Sequence, residues 1–316
     1  MAPHKFRLVT RSDFDGLVCG MLLRELNMID EIKFVHPKDM QDGIVPITAR
    51  DIVTNLPYVA GCHLAFDHHA SETLRMGEHR PLNHIIDAAA PSAARVVYNH
   101  FGGQAAFPRV QLDLLTAVDQ ADSAQFSLED ILQPQDWVLL NFLMDSRTGL
   151  GRFRDFRISN YDLMMQLIEH CRDHTIKQIL QLPDVEERVA LFRAHRDQFE
   201  EQIRRCTVVS GQTAVLDLRN EETIYAGNRF MIYALFPECD ISVHVLWGVR
   251  KENTVFAIGK SIINRTSPVN IGEICLRHGG GGHEAAGTCQ VSNAQAEQVK
   301  ISLIPLLSPT PFRDAA

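Results

Sequence analysis

The stretch FRLVTRSDFDGLVCGMLLREL, residues 6–26, contains the pattern that decides the fold. Its first residues are an apolar run, which predicts a buried strand over Phe6–Thr10. An acidic turn, RSDFDG, comes next, and apolar residues then recur at helical spacing from Leu17. The order of strand, acidic turn and helix is the first unit of an alternating pattern.

Strands and helices continue to alternate through the N-terminal half of the chain. Short apolar strands are predicted over residues 31–37, 51–57 and 62–69, and helices begin near Pro91 and Val110. This alternation predicts an α/β fold with a doubly wound, mostly parallel sheet. Because ligands bind beyond the carboxyl ends of the strands in such sheets, the polar residues that follow strands are expected at one edge.

The second half of the chain has a different pattern. Residues 184–206 are rich in charge and lack glycine and proline, which predicts one solvated linker helix. Short strands dominate from about residue 207, so a smaller α+β domain is expected there. We therefore divide the chain into a first domain at 1–183, the linker helix at 184–206 and a second domain at 207–316.

Composition limits the function classes. The chain has 316 residues, with 31 Lys and Arg against 39 Asp and Glu, and a formal net charge of -8. A broad basic face is not expected, which disfavours binding of long duplex DNA but not of a few phosphates. The seven cysteines include no CxxC pair, which is typical of reduced thiols in a cytosolic protein. Since neither a signal peptide nor a long apolar run is evident, we expect a soluble cytoplasmic protein without membrane contact.

Two clusters of titratable residues lie where the sheet edge is predicted. Asp13 and Asp15 belong to DFDG, and Asp67, His68 and His69 follow a predicted strand. Burying such groups without partners is costly, so something must compensate for them. Carboxylates with an imidazole suit Mn²⁺ or Mg²⁺. The simpler alternative for Asp13 and Asp15 is that they cap a turn or a helix.

Two further segments carry candidate residues. Asp119 and Asp122 are three positions apart and share one face of a predicted helix, so both are candidates and both could equally be surface residues. Near the end of the chain, four glycines at 279–282 precede His283. Such a run can present successive backbone N–H groups to an anion, although a flexible loop tip is the alternative.

The order of these segments is similar to that of the DHH phosphoesterase superfamily with its DHH-associated C-terminal domain. DFDG, DHH, ADSAQF, a linker helix and GGGGH follow one another across nearly the whole chain. The segment IGKSIINRTSPVNIGEICLRHGGGGHEAAGTCQV resembles that family's substrate-binding end. The superfamily includes RecJ-type exonucleases, nano-RNA and pAp phosphatases, dinucleotide phosphodiesterases, family II pyrophosphatases and exopolyphosphatases.

The resemblance implies a site with one or two Mn²⁺ or Mg²⁺ ions. The metal ligands that it implies are Asp13, Asp15, Asp67, His68 and Asp122, with Asp119 as the second choice in the last motif. The catalytic residues that it implies, with His69 facing the phosphate, are Asp13, Asp15, His68 and His69. We add Arg11 as a further catalytic candidate, because it stands at a position where the chain departs from the family pattern. The implied substrate-binding residues are Gly280, Gly281, Gly282, His283, Lys260, Ser261 and Arg265.

The chain departs from the family pattern at two positions. The family has a further His or Asp ligand two or four residues before Asp13, where this chain has Arg11 and Val9. The family also has a bridging aspartate at the end of the strand before DHH, where this chain has Asn55, because Asp51 lies at the other end of that strand.

These departures suggest a hypothesis of a single cation. Asp15, His68 and Asp122 would hold it, with Asp13 as an optional further ligand. Arg11 would replace part of the missing positive charge and contact the phosphate directly.

The function expected from the resemblance is a divalent-metal-dependent phosphohydrolase or phosphodiesterase. Its substrates would be short oligonucleotides, dinucleotides or nucleoside bisphosphates, bound in a cleft between the two domains. The alternatives are an exopolyphosphatase-like enzyme and a catalytically impaired nucleotide-binding protein. The expected partners are a small phosphate-containing substrate and, by the resemblance, a second copy of the chain in a homodimer.

Overall fold

The computed structural model describes residues 5–69, 72–73, 76–77, 81–145 and 148–308. The chain forms two compact units. The first comprises Met1–Phe126 and Pro134–Phe192, and the second comprises Ser127–Gln133 and Arg193–Ala316. The chain therefore passes from one unit to the other at three points, after residues 126, 133 and 192.

The regular elements are numbered here in chain order. The strands are β1 (Phe6–Thr10), β2 (Ile29–Phe34), β3 (Asp51–Thr54), β4 (Leu64–Asp67), β5 (His84–Ile86), β6 (Thr207–Ser210), β7 (Thr213–Asp217), β8 (Ile241–Trp247), β9 (Asn253–Lys260), β10 (Gly281–Gly282) and β11 (Ala286–Ser292). The α-helices are α1 (Phe14–Glu25), α2 (Pro37–Gln41), α3 (Ala93–His100), α4 (Leu112–Asp122), α5 (Leu128–Leu132), α6 (Asp136–Met144), α7 (Asn160–Asp173), α8 (Ile176–Leu180), α9 (Pro183–Ala194), α10 (Arg196–Cys206), α11 (Met231–Leu235), α12 (Ile271–Arg277) and α13 (Ala296–Leu307).

The first unit is built on a parallel sheet with the strand order β2-β1-β3-β4-β5. Each neighbouring pair in this sheet is parallel, so the predicted α/β fold with a parallel sheet is confirmed. Buried side chains of the central strands, including Val9, Val53 and Ala65, pack in one apolar cluster. The strand order reverses between β1 and β3, and such a switch point is where sheets of this kind bind ligands.

Helix α1 begins earlier than the sequence predicted. Asp13 is its N-cap, and the carboxylate of Asp13 accepts the backbone N–H of Gly16 at 3.0 Å, so the helix starts at Phe14 rather than at Leu17. Every residue from Phe14 to Leu23 is buried, because α1 packs against α3, α4 and α7 as well as the sheet. The apolar character all round the helix follows from this central position.

The second unit contains a mixed sheet with the strand order β10-β11-β9-β8-β7-β6. β7 and β8 are parallel, whereas the other neighbouring pairs are antiparallel. One face of this sheet, with Val243, Phe256 and Ile258, packs against α12 and α13 to form the core. The predicted α+β fold of this part of the chain is confirmed.

The linker segment differs from the single helix that the sequence predicted. It forms two helices, α9 and α10, which are separated at His195. The imidazole Nδ1 of His195 accepts the backbone N–H of Ala226 at 3.1 Å. No glycine or proline lies at this point of the chain, so local sequence does not explain the interruption. The interruption coincides instead with the tertiary contact of His195.

In the part of the chain that the structure describes, no helix combines the length and the apolar character that a membrane span requires.

Candidate metal centre

The candidate centre lies at the carboxyl ends of β1, β3 and β4. Asp13 and Asp15 follow β1, Asn55 follows β3, and Asp67 is the last residue of β4, directly before His68. Because these three strands are parallel neighbours, their carboxyl ends meet at one edge of the sheet. The sequence expectation that DFDG and DHH share an edge therefore matches the observed topology.

Three side chains form a compact group at this edge. Asp15, His68 and Asp122 each offer a ligand atom, and these atoms all lie within 4.8 Å of one another. Asp15 is fully buried, and the other two are partly buried. Nε2 of His68 is 2.7 Å from Oδ2 of Asp122. Two carboxylates and an imidazole at this spacing form a donor set that fits a divalent cation.

The carboxylate of Asp15 is fixed by the first turn of α3. Its oxygens accept the backbone N–H groups of Ala93 at 3.0 Å and Ala94 at 2.7 Å. Burial, together with the nearby charge of Asp122, nevertheless raises the pKa of Asp15 to about 8. A positive charge nearby would favour the ionised form, so this buried carboxyl group also fits a cation site.

His68 is oriented by a backbone carbonyl group. Its Nδ1 lies 3.3 Å from the carbonyl oxygen of Ala90, to which an Nδ1–H would donate, and Nε2 then points to the group of three. Metal-binding histidines are commonly fixed in this way. Burial opposes protonation of His68, but the hydrogen bond and charge of Asp122 outweigh it and raise its pKa to about 9. A cation would therefore compete with a proton for Nε2.

Asp67 holds the second histidine of DHH. Its Oδ1 accepts the backbone N–H of His68 at 2.8 Å and lies 2.6 Å from Nδ1 of His69. Burial opposes the protonated form of His69, but the hydrogen bond to Asp67 and the charge of that carboxylate outweigh it, so the pKa of His69 is raised. The structure thus favours a positively charged His69 beside the group of three.

One buried oxygen atom of Asp67 supports a cation nearby. Asp67 is 1% exposed, and its Oδ2 has no hydrogen-bond partner among the described residues. Leaving a buried carboxylate oxygen unpaired is costly. The unpaired Oδ2 therefore fits the presence of a cation at this edge, as the donor set does.

Asp13 has a different environment from Asp15. Its Oδ2 is 3.0 Å from Nε of Arg11, and its Oδ1 accepts hydrogen bonds from the amide of Asn55 and the N–H of Gly16, both at 3.0 Å. The group of three does not include Asp13. Asn55 adopts a left-handed backbone conformation with φ of 54°, which asparagine tolerates better than most residues.

The two aspartates of α4, Asp119 and Asp122, have different partners. Asp119 accepts hydrogen bonds from the guanidinium of Arg95 and from the hydroxyl of Ser92, which caps α3. Asp122, one turn later, contacts His68 instead. Of the two candidates, Asp122, which the resemblance favoured, lies in the group of three. Asp51 lies at the opposite end of β3, where it pairs with Arg7.

The glycine-rich segment forms a tight hairpin rather than an open loop. The N–H groups of Gly279, Gly280 and His283 donate to the carbonyl groups of Leu276, Cys275 and Ala286. These three donors are therefore used within the protein, which differs from the expected run of N–H groups available to an anion. Gly280 meets a steric need, because a Cβ at this position would collide with the carbonyl oxygen of Thr288.

The other predicted substrate-binding residues also lie in the second unit. Nζ of Lys260 is 2.9 Å from Oε1 of Glu284, the residue after His283. His283 and Gly281 are exposed. The hydroxyl of Ser261 is used in a turn, where it accepts the N–H of Asn264 at 2.9 Å. Nε of the exposed Arg265 donates to the carbonyl oxygen of Ile262.

Sequence reasoning missed the backbone groups that organise the centre. The Ala90 carbonyl and the N–H groups of Ala93 and Ala94 have no side-chain signal of their own. The helix start at Pro91-Ser92 was visible in the sequence, but its contact with Asp15, 78 positions earlier for Ala93, depends on the tertiary fold.

Comparison with solved structures shows what this chain resembles. A pGpG-specific phosphodiesterase, PggH from Vibrio cholerae, is 59% identical with a TM-score of 0.80, and the match covers 96% of this chain and 99% of that chain. RecJ from Thermus thermophilus in complex with Mn²⁺ is 14% identical with a TM-score of 0.48 over 97% of this chain and 52% of that chain, a likeness too low to support an argument. No family model matches the chain, and no curated protein matches it.

The likeness to PggH extends over nearly the full length of both chains. The TM-score of 0.80 shows that the two chains share their fold. The chain therefore belongs to the DHH superfamily of phosphoesterases, together with this phosphodiesterase.

Proposed function

We propose that this protein is a divalent-metal-dependent phosphodiesterase that hydrolyses linear dinucleotides, with pGpG as the first substrate to test. The observation that carries the reaction class is the group formed by Asp15, His68 and Asp122, whose ligand atoms lie within 4.8 Å of one another. The 59% identity to a pGpG-specific phosphodiesterase supports the substrate class.

In this proposal the group of three holds the cation, with Asp67 beside it, and Mn²⁺ is the preferred ion. When bound, the cation would polarise the phosphoryl group and lower the pKa of a water molecule towards neutrality. Asp15 would be a fixed ligand because α3 holds its carboxylate, and His68 would present Nε2 because Ala90 engages Nδ1. The charge of the cation would also let an acidic chain bind an anionic substrate.

His69 would act on the phosphate. Asp67 holds its ring through Nδ1 and favours its protonated form, so Nε2 is the nitrogen that would donate. From there His69 could donate a hydrogen bond to a phosphate oxygen, or a proton to the leaving oxygen. The carboxylate of Asp67 would stabilise the imidazolium during this step.

The nucleotide portion would bind the second unit. We propose Gly280, Gly281, Gly282, His283, Lys260, Ser261 and Arg265 for this role, in line with the resemblance. The exposure of Gly281 and His283 to solvent supports it. In this proposal residues 1–183 bind the metal, residues 184–206 connect the two domains and residues 207–316 bind the substrate. We also propose that the protein is cytoplasmic.

Hydrolysis of a small substrate panel tests this proposal. Purified protein with Mn²⁺ would be given pGpG, a linear adenine dinucleotide, pAp, a cyclic dinucleotide, a very short RNA, tripolyphosphate and pyrophosphate, beside Asp122→Asn as the inactive control. We expect release of mononucleotides from pGpG by the wild type and none by the variant.

The rival functions predict other outcomes of the same panel. Turnover of tripolyphosphate alone would replace the proposal with an exopolyphosphatase-like enzyme. Binding of nucleotides without turnover of any compound would replace it with a catalytically impaired nucleotide-binding protein. Arg11 and Asn55, which stand where the family has ligands, would then be the residues to revert.

A further inference from the structure

We infer that this centre holds one divalent cation, and that the guanidinium of Arg11, anchored by Asp13, takes the place of a second cation and binds the substrate phosphate. This inference rests on the proposed function. It concerns the number of ions and the role of one side chain, neither of which the comparisons address.

The number of available ligands limits how many cations the centre can hold. Among the residues that the structure describes, Asp15, His68 and Asp122 are the group of three His, Cys, Asp or Glu side chains close enough to share an ion. A second divalent ion would need further anionic ligands at the same edge of the sheet. Asp13 is the nearest candidate in sequence, so its environment decides the matter.

Both carboxylate oxygens of Asp13 already have partners. Oδ2 is 3.0 Å from Nε of Arg11, and Oδ1 accepts hydrogen bonds from Asn55 and Gly16. The charge of Asp13 is thus offset by the nearby guanidinium. A cation at this position would have to displace Arg11 and would meet a neutral amide at the end of β3.

Two buried atoms without hydrogen-bond partners among the described residues would favour a second cation. Oδ1 of Asn55 and Oδ2 of Asp67 are buried and have no hydrogen-bond partner among the described residues. With Asp13 they could complete a second site. However, Asn55 is uncharged, Asp13 is paired with Arg11, and Asp67 is bonded to His69, so little negative charge remains for a second dication.

Arg11 has the right features to bind a phosphate. Its Nε lies 3.0 Å from Oδ2 of Asp13, and its two Nη groups donate no hydrogen bond to the described residues. The side chain is 35% exposed, so a ligand can reach it, and its charge also acts on Asp122 of the group of three. The planar guanidinium of arginine matches the geometry of a phosphate.

Ion counting tests the first half of the inference without any measurement of activity. The full-length protein would be loaded with Mn²⁺, freed of excess ion and analysed by mass spectrometry and by titration calorimetry. We expect one tightly held ion per chain. Two tightly held ions per chain would overturn the inference, whatever the substrate proves to be.

A gain-of-site variant sharpens this test. The double variant Arg11→His with Asn55→Asp removes the guanidinium, frees Asp13 and adds a carboxylate at the end of β3. We expect it to hold two ions per chain, while Arg50→His, which replaces an exposed arginine elsewhere, holds one. A folded double variant that still holds one ion would contradict the claim that Arg11 and Asn55 exclude the second.

Variants of Arg11 test whether its guanidinium binds the substrate phosphate. Arg11→Gln should keep one ion per chain but bind guanosine monophosphate about 10- to 100-fold more weakly, since it loses charged hydrogen bonds to the phosphate. Arg11→Lys should recover part of the loss. Unchanged affinity in Arg11→Gln would refute the role in binding. A protein with one ion and an effect of Arg11 on binding, but no hydrolysis, would overturn the proposed function alone.

Discussion

Asp15 and Ala94 are joined by a hydrogen bond of 2.7 Å from the backbone N–H of Ala94 to Oδ1 of the carboxylate. The same carboxylate accepts the N–H of Ala93, so one side chain both belongs to the candidate metal centre and fixes the start of α3. Stability and metal binding are therefore linked at this residue.

We predict that Asp15→Ala destabilises the protein more than Asp122→Ala does. Loss of Asp15 leaves two buried N–H groups without an acceptor, which should lower the free energy of unfolding by about 2 kcal/mol. Asp122 is partly exposed, and its removal loses the contact with His68 but relieves repulsion with Asp15. Urea unfolding of the two variants in chelator measures the difference. Equal losses of stability would show that the contact with α3 contributes little.

Mn²⁺ should stabilise the wild-type protein through the group of three. At an ion concentration of 100 times the dissociation constant, the gain is about 2.7 kcal/mol, because the ion binds the folded state alone. We expect a rise in the thermal midpoint on adding Mn²⁺ and its loss in Asp122→Ala. A chelator should abolish hydrolysis. An identical rise in the variant would place the ion elsewhere.

His69→Gln should separate catalysis from metal binding. Loss of a positioned proton donor lowers turnover by roughly 10² to 10⁴-fold. The ion count should stay the same, since His69 is not in the group of three. His100→Gln, at the exposed end of α3, serves as the control and should retain full turnover. Loss of the ion in His69→Gln would mean that His69 is a ligand instead.

Two neighbouring glycines of the hairpin should differ sharply. A Cβ at Gly280 would collide with Thr288, whereas a Cβ at Gly281 meets no heavy atom within 4 Å among the described residues. We expect Gly280→Ala to lower the thermal midpoint and Gly281→Ala to leave it unchanged. If the substrate approaches the hairpin here, Gly281→Ala should raise KM without loss of stability. Unchanged KM in Gly281→Ala would place the substrate away from this residue.

His244 should make the protein sensitive to acid. Burial in the second unit, with Arg229 nearby, lowers the pKa of this histidine to about 4, against its ordinary value of 6.5. Between these values the unfolded chain binds a proton that the folded chain does not. The contribution to stability is therefore full above pH 6.5 and falls by up to about 3 kcal/mol as the pH drops to 4.

The variant His244→Gln isolates this contribution. Its thermal midpoint should fall less than that of the wild type between pH 6.5 and pH 4, because glutamine does not titrate. His100→Gln, which alters an exposed histidine, should follow the wild-type curve. Parallel curves for wild type and His244→Gln would show that other groups cause the acid sensitivity.

The alternation of strands and helices was enough to predict the parallel sheet and the edge where DFDG and DHH meet, because topology places strand ends together. The choice between Asp119 and Asp122 could not be made in the same way. Both face the same side of α4, and the difference arises from Arg95 and Ser92, which engage Asp119 from another helix.

Two other features could not be predicted from the sequence for a similar reason. Four glycines are compatible with an open anion-binding loop and with a tight hairpin, and the choice depends on carbonyl groups of α12 and β11 that accept the N–H groups. The break between α9 and α10 likewise coincides with the contact of His195 with Ala226. Contacts between distant residues leave little trace in local sequence.

The three passages of the chain between its units affect how the protein can be divided. Helix α5 is encoded within the first half but belongs to the second unit, where the side-chain amide of Asn228 donates to the carbonyl of Ile131. A fragment cut near residue 192 would carry α5 without its partners and expose the fully buried Ile131. Neither unit can therefore be exchanged as a cassette by recombination at one site, and a working chimera would need to graft α5 together with the C-terminal half.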